Sequence, residues 1–358
     1  MDRKLRVNVL GVWLGVFLWV GQVVAESEPQ KIALLVPLTG ALADWGVGME
    51  KGARMALEES NSPVKLLVED SQFDPKAALL ALERLRTTNR LDALIVFGSS
   101  VSLAVANTAE SNQLLTISIA TSDQIQRGKK YVFRHMISVQ TATDVLQPEV
   151  LRRNYQRIAA VSTTQDGMLA FQEALVERLS ARIVLKADVA PQERELRGLA
   201  VRTLASKPDA VYLTLLPPQS SLFTKQLRQL GFQGEFFAAT QIENRAEIIA
   251  AGEAFEGLWY VKDGDTESIK FERRFFERYQ TQPDNFASNA YDTLRLLIQA
   301  LSQPNPTHAL EGVTDFHGAL GSYRALPDHS FSIPGMLRII RNTKVNSLES
   351  NIAGSAFF

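Results

Sequence analysis

The stretch Lys31-Ile-Ala-Leu-Leu-Val-Pro-Leu-Thr-Gly40, followed by a loop holding Trp45-Gly46 and a helical stretch over 47–59, decides how this chain folds. Ile32 to Val36 is an unbroken apolar run, which suits a strand buried on both faces, and Pro37 and Gly40 then interrupt it. Beyond the loop, Met49, Ala53, Ala56 and Leu57 recur at i, i+4, i+7 and i+8. Glu50, Lys51, Arg54 and Glu58 are left for solvent, which predicts an amphipathic helix. Strand, loop and helix in that order open a strand-helix-strand unit on a parallel sheet.

The same alternation continues downstream. Up to about Ser122, strands are expected at 32–38, 64–68, 93–97 and 115–119. Asp74-Pro75 opens one intervening helix as N-cap and first-turn proline. A second series begins after Thr143, with strands expected at 158–162, 183–189, 210–215, 235–239 and 257–261 and helices between them. Two consecutive series imply two sheets. The helices at 269–279 and 288–301 have no strand pattern between them, so they must cover a sheet made earlier, and the chain is expected to return to the first lobe. A Pro- and Gly-containing stretch (304–334) then leads to a last strand at 336–341. The expected division is 1–25 as a signal peptide, 26–143 with 266–328 as lobe 1, 144–265 with 329–345 as lobe 2, and 346–358 as a loosely held tail.

Upstream of the deciding stretch, Arg3, Lys4 and Arg6 precede an apolar run over 7–20 and the small-residue site Val23-Val24-Ala25, a cleavable export signal. The run holds Asn8 and is shorter than the roughly 20 residues of a membrane-spanning helix. The 358 residues include no cysteine, so disulfides, thiolate metal sites and a lipid-modified cysteine anchor are excluded. A free periplasmic protein is the compartment this implies. Removing residues 1–25 takes away three basic groups and one acid, leaving a formal net charge near −3. That balance gives no electrostatic case for nucleic acid or an anionic membrane surface. Roughly 330 mature residues also exceed what one hydrophobic core usually serves.

Several stretches together resemble the type I periplasmic binding proteins of the leucine/isoleucine/valine-binding family, the receptor components of ABC importers. They are Pro37-Leu-Thr-Gly40 with Trp45-Gly46 and Gly52-Ala53, Val68-Glu-Asp70 with Asp74-Pro75, Gly98-Ser-Ser100, Ser118-Ile-Ala-Thr-Ser122, Tyr131-Val-Phe-Arg134, Pro208-Asp-Ala-Val-Tyr212, Arg228-Gln-Leu-Gly231, Phe255-Glu-Gly257 and Ala290-Tyr-Asp292. The resemblance implies an α/β fold of two lobes, each a mainly parallel sheet flanked by helices, joined by three hinge crossovers and closing on a ligand held between them. Its implied partners are a small-molecule ligand and the permease subunits of an ABC transporter. A ligand-sensing protein that presents its loaded form to a receptor or regulator would share the same cleft.

Within lobe 1 the resemblance places a ligand carboxylate against Ser99 and Ser100 and against Ala120, Thr121 and Ser122. Hydroxyls and backbone N–H groups at strand ends, where helices begin, suit an anion. Ser100 and Ser122 as simple helix caps are the plainer alternative. Trp45 is expected either to cover the cleft or to serve ordinary packing. In lobe 2 the chain departs from the amino-acid binders. Gln165-Asp166-Gly167 stands where tyrosine and glycine are usual, Leu216 or its neighbour Pro217 takes a second aromatic position, and Gln241 replaces the acid that pairs with a ligand ammonium. Asp166 is either a substitute partner for an ammonium or the N-cap of the helix that follows. Gln241 also fits a ligand without positive charge.

Other patterns carry less. Gly46-x-Gly48-x-x-x-Gly52 departs from the dinucleotide fingerprint in spacing and position, and reads as loop and helix packing. The four histidines, His135, His308, His317 and His329, have no metal-ligand spacing and are expected at the surface or in caps. No nucleophile elbow occurs and Ser162-Thr-Thr164 lacks a neighbouring base, so neither catalysis nor a cofactor is expected.

Overall fold

The structure, a computed structural model, describes residues 28–348, so the expected export signal lies outside the described residues. The first lobe is built from β1 (Lys31–Val36), α1 (Ala43–Ser60), β2 (Lys65–Asp70), α2 (Pro75–Thr88), β3 (Ala93–Phe97), α3 (Ser99–Ser111), β4 (Leu115–Ile119) and β5 (Val132–Arg134). Its five strands are all parallel, in the order β2-β1-β3-β4-β5. Strands β3 and β4 are buried throughout, which is why they read as continuous apolar runs.

The second series runs through α4 (Val139–Arg152), β6 (Ile158–Thr163), α5 (Asp166–Arg178), β7 (Ile183–Val189), α6 (Arg197–Ala205), β8 (Ala210–Thr214), α7 (Gln219–Gln229), β9 (Glu235–Ala238), α8 (Arg245–Ala251) and β10 (Trp259–Asp263). Then follow α9 (Thr266–Tyr279), α10 (Ala287–Leu301), α11 (Pro306–Glu311), the small hairpin β11 (Phe316–Gly318) and β12 (Gly321–Tyr323), and finally β13 (Gly335–Arg341) and β14 (Lys344–Ser347). The second sheet has the order β14-β13-β10-β9-β8-β6-β7, and its first two strands pair antiparallel. The chain crosses between lobes after β5, after β10 and ahead of β13. Helix α10 returns to the first lobe against α1, where Tyr291 also reaches Glu59.

Several expectations need correction. Trp45-Gly46 lies inside α1 and not in a loop. The helix starts at Ala43 behind Leu42, which makes no side-chain cap hydrogen bond, so no capping residue announced it. Helix α4 begins at Val139, ahead of the expected boundary at 143. Asn346 and Ser347, expected in the tail, pair with Ile339 and Arg338 as rungs of β14. His135 is fully buried rather than superficial. Its Nε2 lies 2.8 Å from Tyr323 Oη, and burial pushes its pKa down to about 3. The glycines of α1 are indeed packing residues: a Cβ on Gly52 would stand 2.1 Å from the Ala287 carbonyl oxygen of α10.

Among the described residues, no helix is long and apolar enough to cross a membrane, and no group of three or more His, Asp or Glu side chains gathers as a metal site.

Candidate functional site: the cleft between the lobes

The site starts at the C-terminal end of the first sheet, where open α/β sheets bind ligands. β3 ends at Phe97 and the chain turns through Gly98 into α3. Gly98 has φ +93, and a Cβ there would lie 2.4 Å from the Phe73 ring, so glycine alone lets the turn close this tightly. The turn delivers Ser99, buried, to the end of β4. Its Oγ accepts from the backbone N–H groups of Thr121 at 3.3 Å and Ser122 at 3.2 Å. With both N–H groups donating to its oxygen, the Ser99 hydroxyl has its own proton left to donate, and with the free N–H groups opening α3 it forms a cradle with the positive end of a helix behind it.

The second lobe faces that cradle with the N-terminus of α5. Gln165 is the N-cap, its Oε1 accepting from Gly167 N at 3.0 Å while its Nε2 donates across the cleft to Ser100 Oγ at 3.4 Å. Two helix N-termini from opposite lobes therefore converge on one spot. Beside it, Trp45, Phe97 and Phe286 form an aromatic wall. Trp45 meets Phe286 edge-on at 5.1 Å and Phe97 at 6.0 Å, and Phe97 lies 4.8 Å from Phe286.

Between these groups lies an inner cavity of about 30 Å³, room for about one water. Six of the residues named from the sequence, Trp45, Ser99, Ala120, Thr121, Leu216 and Gln241, line it, joined by Phe73, Phe97, Met136, Gln165, Met168 and Phe286. Two buried polar atoms on its lining residues have no partner among the described residues: Trp45 Nε1, a donor, and Gln241 Oε1, an acceptor. Gln241 is anchored by its other end, Nε2 donating to Leu213 O at 2.9 Å.

Four expected residues, Ser100, Pro217, Ser122 and Asp166, sit elsewhere. Ser100 points its hydroxyl at Gln165, and Pro217 does not line the cavity. Ser122 and Asp166 line a separate outer cavity of about 520 Å³, shared with Thr121 and Arg134. Asp166 is exposed in the first turn of α5, and the capping role belongs to Gln165. Phe286, Met136 and Met168 carry no signal in the sequence, because an apolar residue outside any motif reads as ordinary core. Phe97, the last residue of β3 ahead of Gly98-Ser99, was identifiable from its position.

Further polar bonds cross the lobes next to this site. Asn285 Nδ2 donates to Thr240 O at 2.6 Å and Thr240 Oγ1 at 2.9 Å, and Arg245 N donates to Asp284 Oδ1 at 3.4 Å. Thr240 and Asn285 directly precede Gln241 and Phe286, so the bonds that hold the lobes together are continuous with the cavity walls.

Two sheets, three crossovers and a buried interlobe cavity define a two-lobed solute-binding protein. The chain matches the "Periplasmic binding protein" family over residues 29–340. It belongs to the type I periplasmic binding proteins of the leucine/isoleucine/valine-binding family, a group of solute binders rather than enzymes. It is 26% identical over 271 residues to the leucine-specific-binding protein of Salmonella typhimurium, spanning 72% of each chain. It is 23% identical to the leucine-, isoleucine-, valine-, threonine- and alanine-binding protein of Pseudomonas aeruginosa over 247 residues, 65% of this chain and 66% of that one. Among solved structures it resembles a leucine-binding protein from Thermotoga maritima (TM-score 0.84, 22% identity, 89% of this chain and 98% of that one). It also resembles an ABC transporter solute-binding protein from R. palustris in complex with benzoate (TM-score 0.79, 19% identity, 89% and 95%).

Proposed function

We propose that this chain is the periplasmic receptor of an ABC importer, and that it captures a small carboxylate-bearing solute between its lobes. The observation that carries this reading is the convergence of the α3 and α5 N-termini on the Ser99–Thr121 cradle, beside the unpartnered Trp45 Nε1 and Gln241 Oε1. Backbone donors backed by two helix dipoles hold a carboxylate without a paired cation. Ser99, Ala120 and Thr121 bind it first from lobe 1, and lobe 2 closes over the remainder with Gln165, Leu216 and Gln241. Closure buries the ligand, so the closed form is the one that a permease recognises, and the ligand shifts the population toward it. Similarity to named amino-acid binders and to a benzoate-bound solute-binding protein supports capture of a small organic acid, amino or otherwise.

The test pairs two measurements. Mass spectrometry of solute released from the purified, denatured protein names the ligand, and uptake of that solute is then followed in cells lacking this gene. Loss of high-affinity uptake supports import. Undiminished uptake overturns import and leaves a sensing role for the same cleft.

A further inference from the structure

We infer that the cleft selects apolar monocarboxylates that carry no charged amino group, and rejects α-amino acids. The inference rests on the receptor reading above and names the solute class of that same site.

No side chain lining the inner cavity is charged. An amino acid entering there would strip water from its ammonium and find no carboxylate to replace it. Burial of an unpaired charge is among the largest penalties a binding site imposes. The electrostatic setting makes it worse, because the cleft is flanked by the positive ends of α3 and α5, which favour negative charge and repel positive charge. Asp166, the acid nearest in sequence, is exposed and lines the outer cavity instead. Gln241 offers a neutral carbonyl, Oε1, and its amide nitrogen is already committed to Leu213.

The rest of the ligand is specified by the walls. Trp45, Phe97, Phe286 and Leu216 supply an apolar surface, and Trp45 Nε1 adds one neutral donor. Donors for a single anion gather at the Ser99 hydroxyl and the N–H groups opening α3, and among the described residues the inner cavity has no second cluster that would hold another carboxylate. About 30 Å³ holds no more than a water, so solute enters while the lobes stand apart, and the loaded cleft closes less far than in this structure.

The decisive comparison uses pairs of compounds differing only in the ammonium: 4-methylpentanoate against leucine, and 3-phenylpropanoate against phenylalanine. Each is titrated calorimetrically into the purified protein and into Gln241→Glu, whose folding is checked by its thermal melt. We expect the deaminated acid of at least one pair to bind on the order of 100-fold more tightly than its amino acid. Gln241→Glu should shrink or reverse that ratio. Ratios below about tenfold in both pairs, or tighter binding of an amino acid, overturn the inference while leaving the receptor reading in place. Failure of all four compounds to bind, with no solute released from the purified protein, overturns both.

Discussion

Gly167 of the second lobe stands so close to Ser99 of the first that a Cβ on it would lie 3.1 Å from Ser99 Oγ, and 3.4 Å from Thr121 Oγ1. The two lobes thus meet at a position where a larger side chain has nowhere to go. Gly167→Val should leave each lobe folded but hold the cleft ajar, because the extra methyl groups fall on the cradle itself. Ligand affinity is expected to fall at least about tenfold. Small-angle scattering with saturating ligand should show a larger radius of gyration than the parent protein, and equal radii would dismiss the closing role of this contact.

Helix α1 packs on α10 through glycine. A Cβ on Gly52 would meet the Ala287 carbonyl oxygen at 2.1 Å, and the obstacle is backbone, which has little room to yield. Gly52→Ala should therefore destabilise the first lobe by about 2–3 kcal/mol, despite alanine's better helix propensity. Urea unfolding measures this directly, and a loss below about 0.5 kcal/mol would show that the helices slide apart at little cost.

How much of this was legible follows from the same chemistry. Strands β3, β4 and β7 were placed to the residue because apolar and β-branched runs bounded by polar turns leave no other element of that length. The start of α1 was hidden because Leu42 offers no capping side chain and glycines thin out the helical signal. Strand β5 escaped notice because three residues carry no periodicity. At the site, the cradle loops were readable as strand ends carrying serine and threonine. The choice between Ser99 and Ser100 was not, since adjacent helical residues point about 100° apart and only the packed structure fixes which one faces inward.

Three buried charged groups, Glu243, Lys262 and Arg338, gather with the partly buried Glu272. Lys262 Nζ lies 3.0 Å from Glu272 Oε1 and also contacts Glu243, while Arg338 Nη2 lies 3.2 Å from Glu272 Oε2. Lys262 is fully buried on β10, so Lys262→Met would strand Glu243 with only the Tyr260 hydroxyl and leave Glu272 to Arg338. A loss of about 3–5 kcal/mol is expected, read as a lower urea midpoint. The methionine variant unfolding at the parent's midpoint would mean that the cluster relaxes around the missing cation.

Asp284 links the lobes by accepting from Arg245 N, and burial, with Asp44 and Glu243 adding repulsion, raises its pKa to about 6 from an ordinary 3.8. For a carboxyl group raised on folding, the stabilising contribution is fully present below the unfolded pKa and is lost as pH rises through the folded one. This group therefore favours the native closed form at pH 4 and has withdrawn that support by pH 7.5. Asp284→Asn keeps an acceptor for Arg245 N without the titration. It should be more stable than the parent at pH 7.5 by on the order of 1 kcal/mol, with the difference vanishing near pH 4. Paired urea melts at the two pH values decide it, and a constant offset at both would assign the effect to packing.

The choice between neighbouring serines is the sharpest test of the site. Ser99 Oγ sits among the Thr121 and Ser122 backbone donors and lines the inner cavity, whereas Ser100 Oγ turns to Gln165 at 3.4 Å across the cleft. If the cradle holds the ligand carboxylate, Ser99→Ala removes a hydroxyl at the anion and should weaken binding by about 1–3 kcal/mol, as expected for a hydrogen bond to a charged group. Thr121→Ala should behave similarly. Ser100→Ala loses only a long, partly buried contact between lobes and should cost about 0.5 kcal/mol or less. Calorimetry on the three variants with the released solute distinguishes the two arrangements. A larger loss for Ser100→Ala than for Ser99→Ala would move the carboxylate one residue along α3, to the mouth of the cleft beside Gln165, and the inner cavity would no longer be its seat.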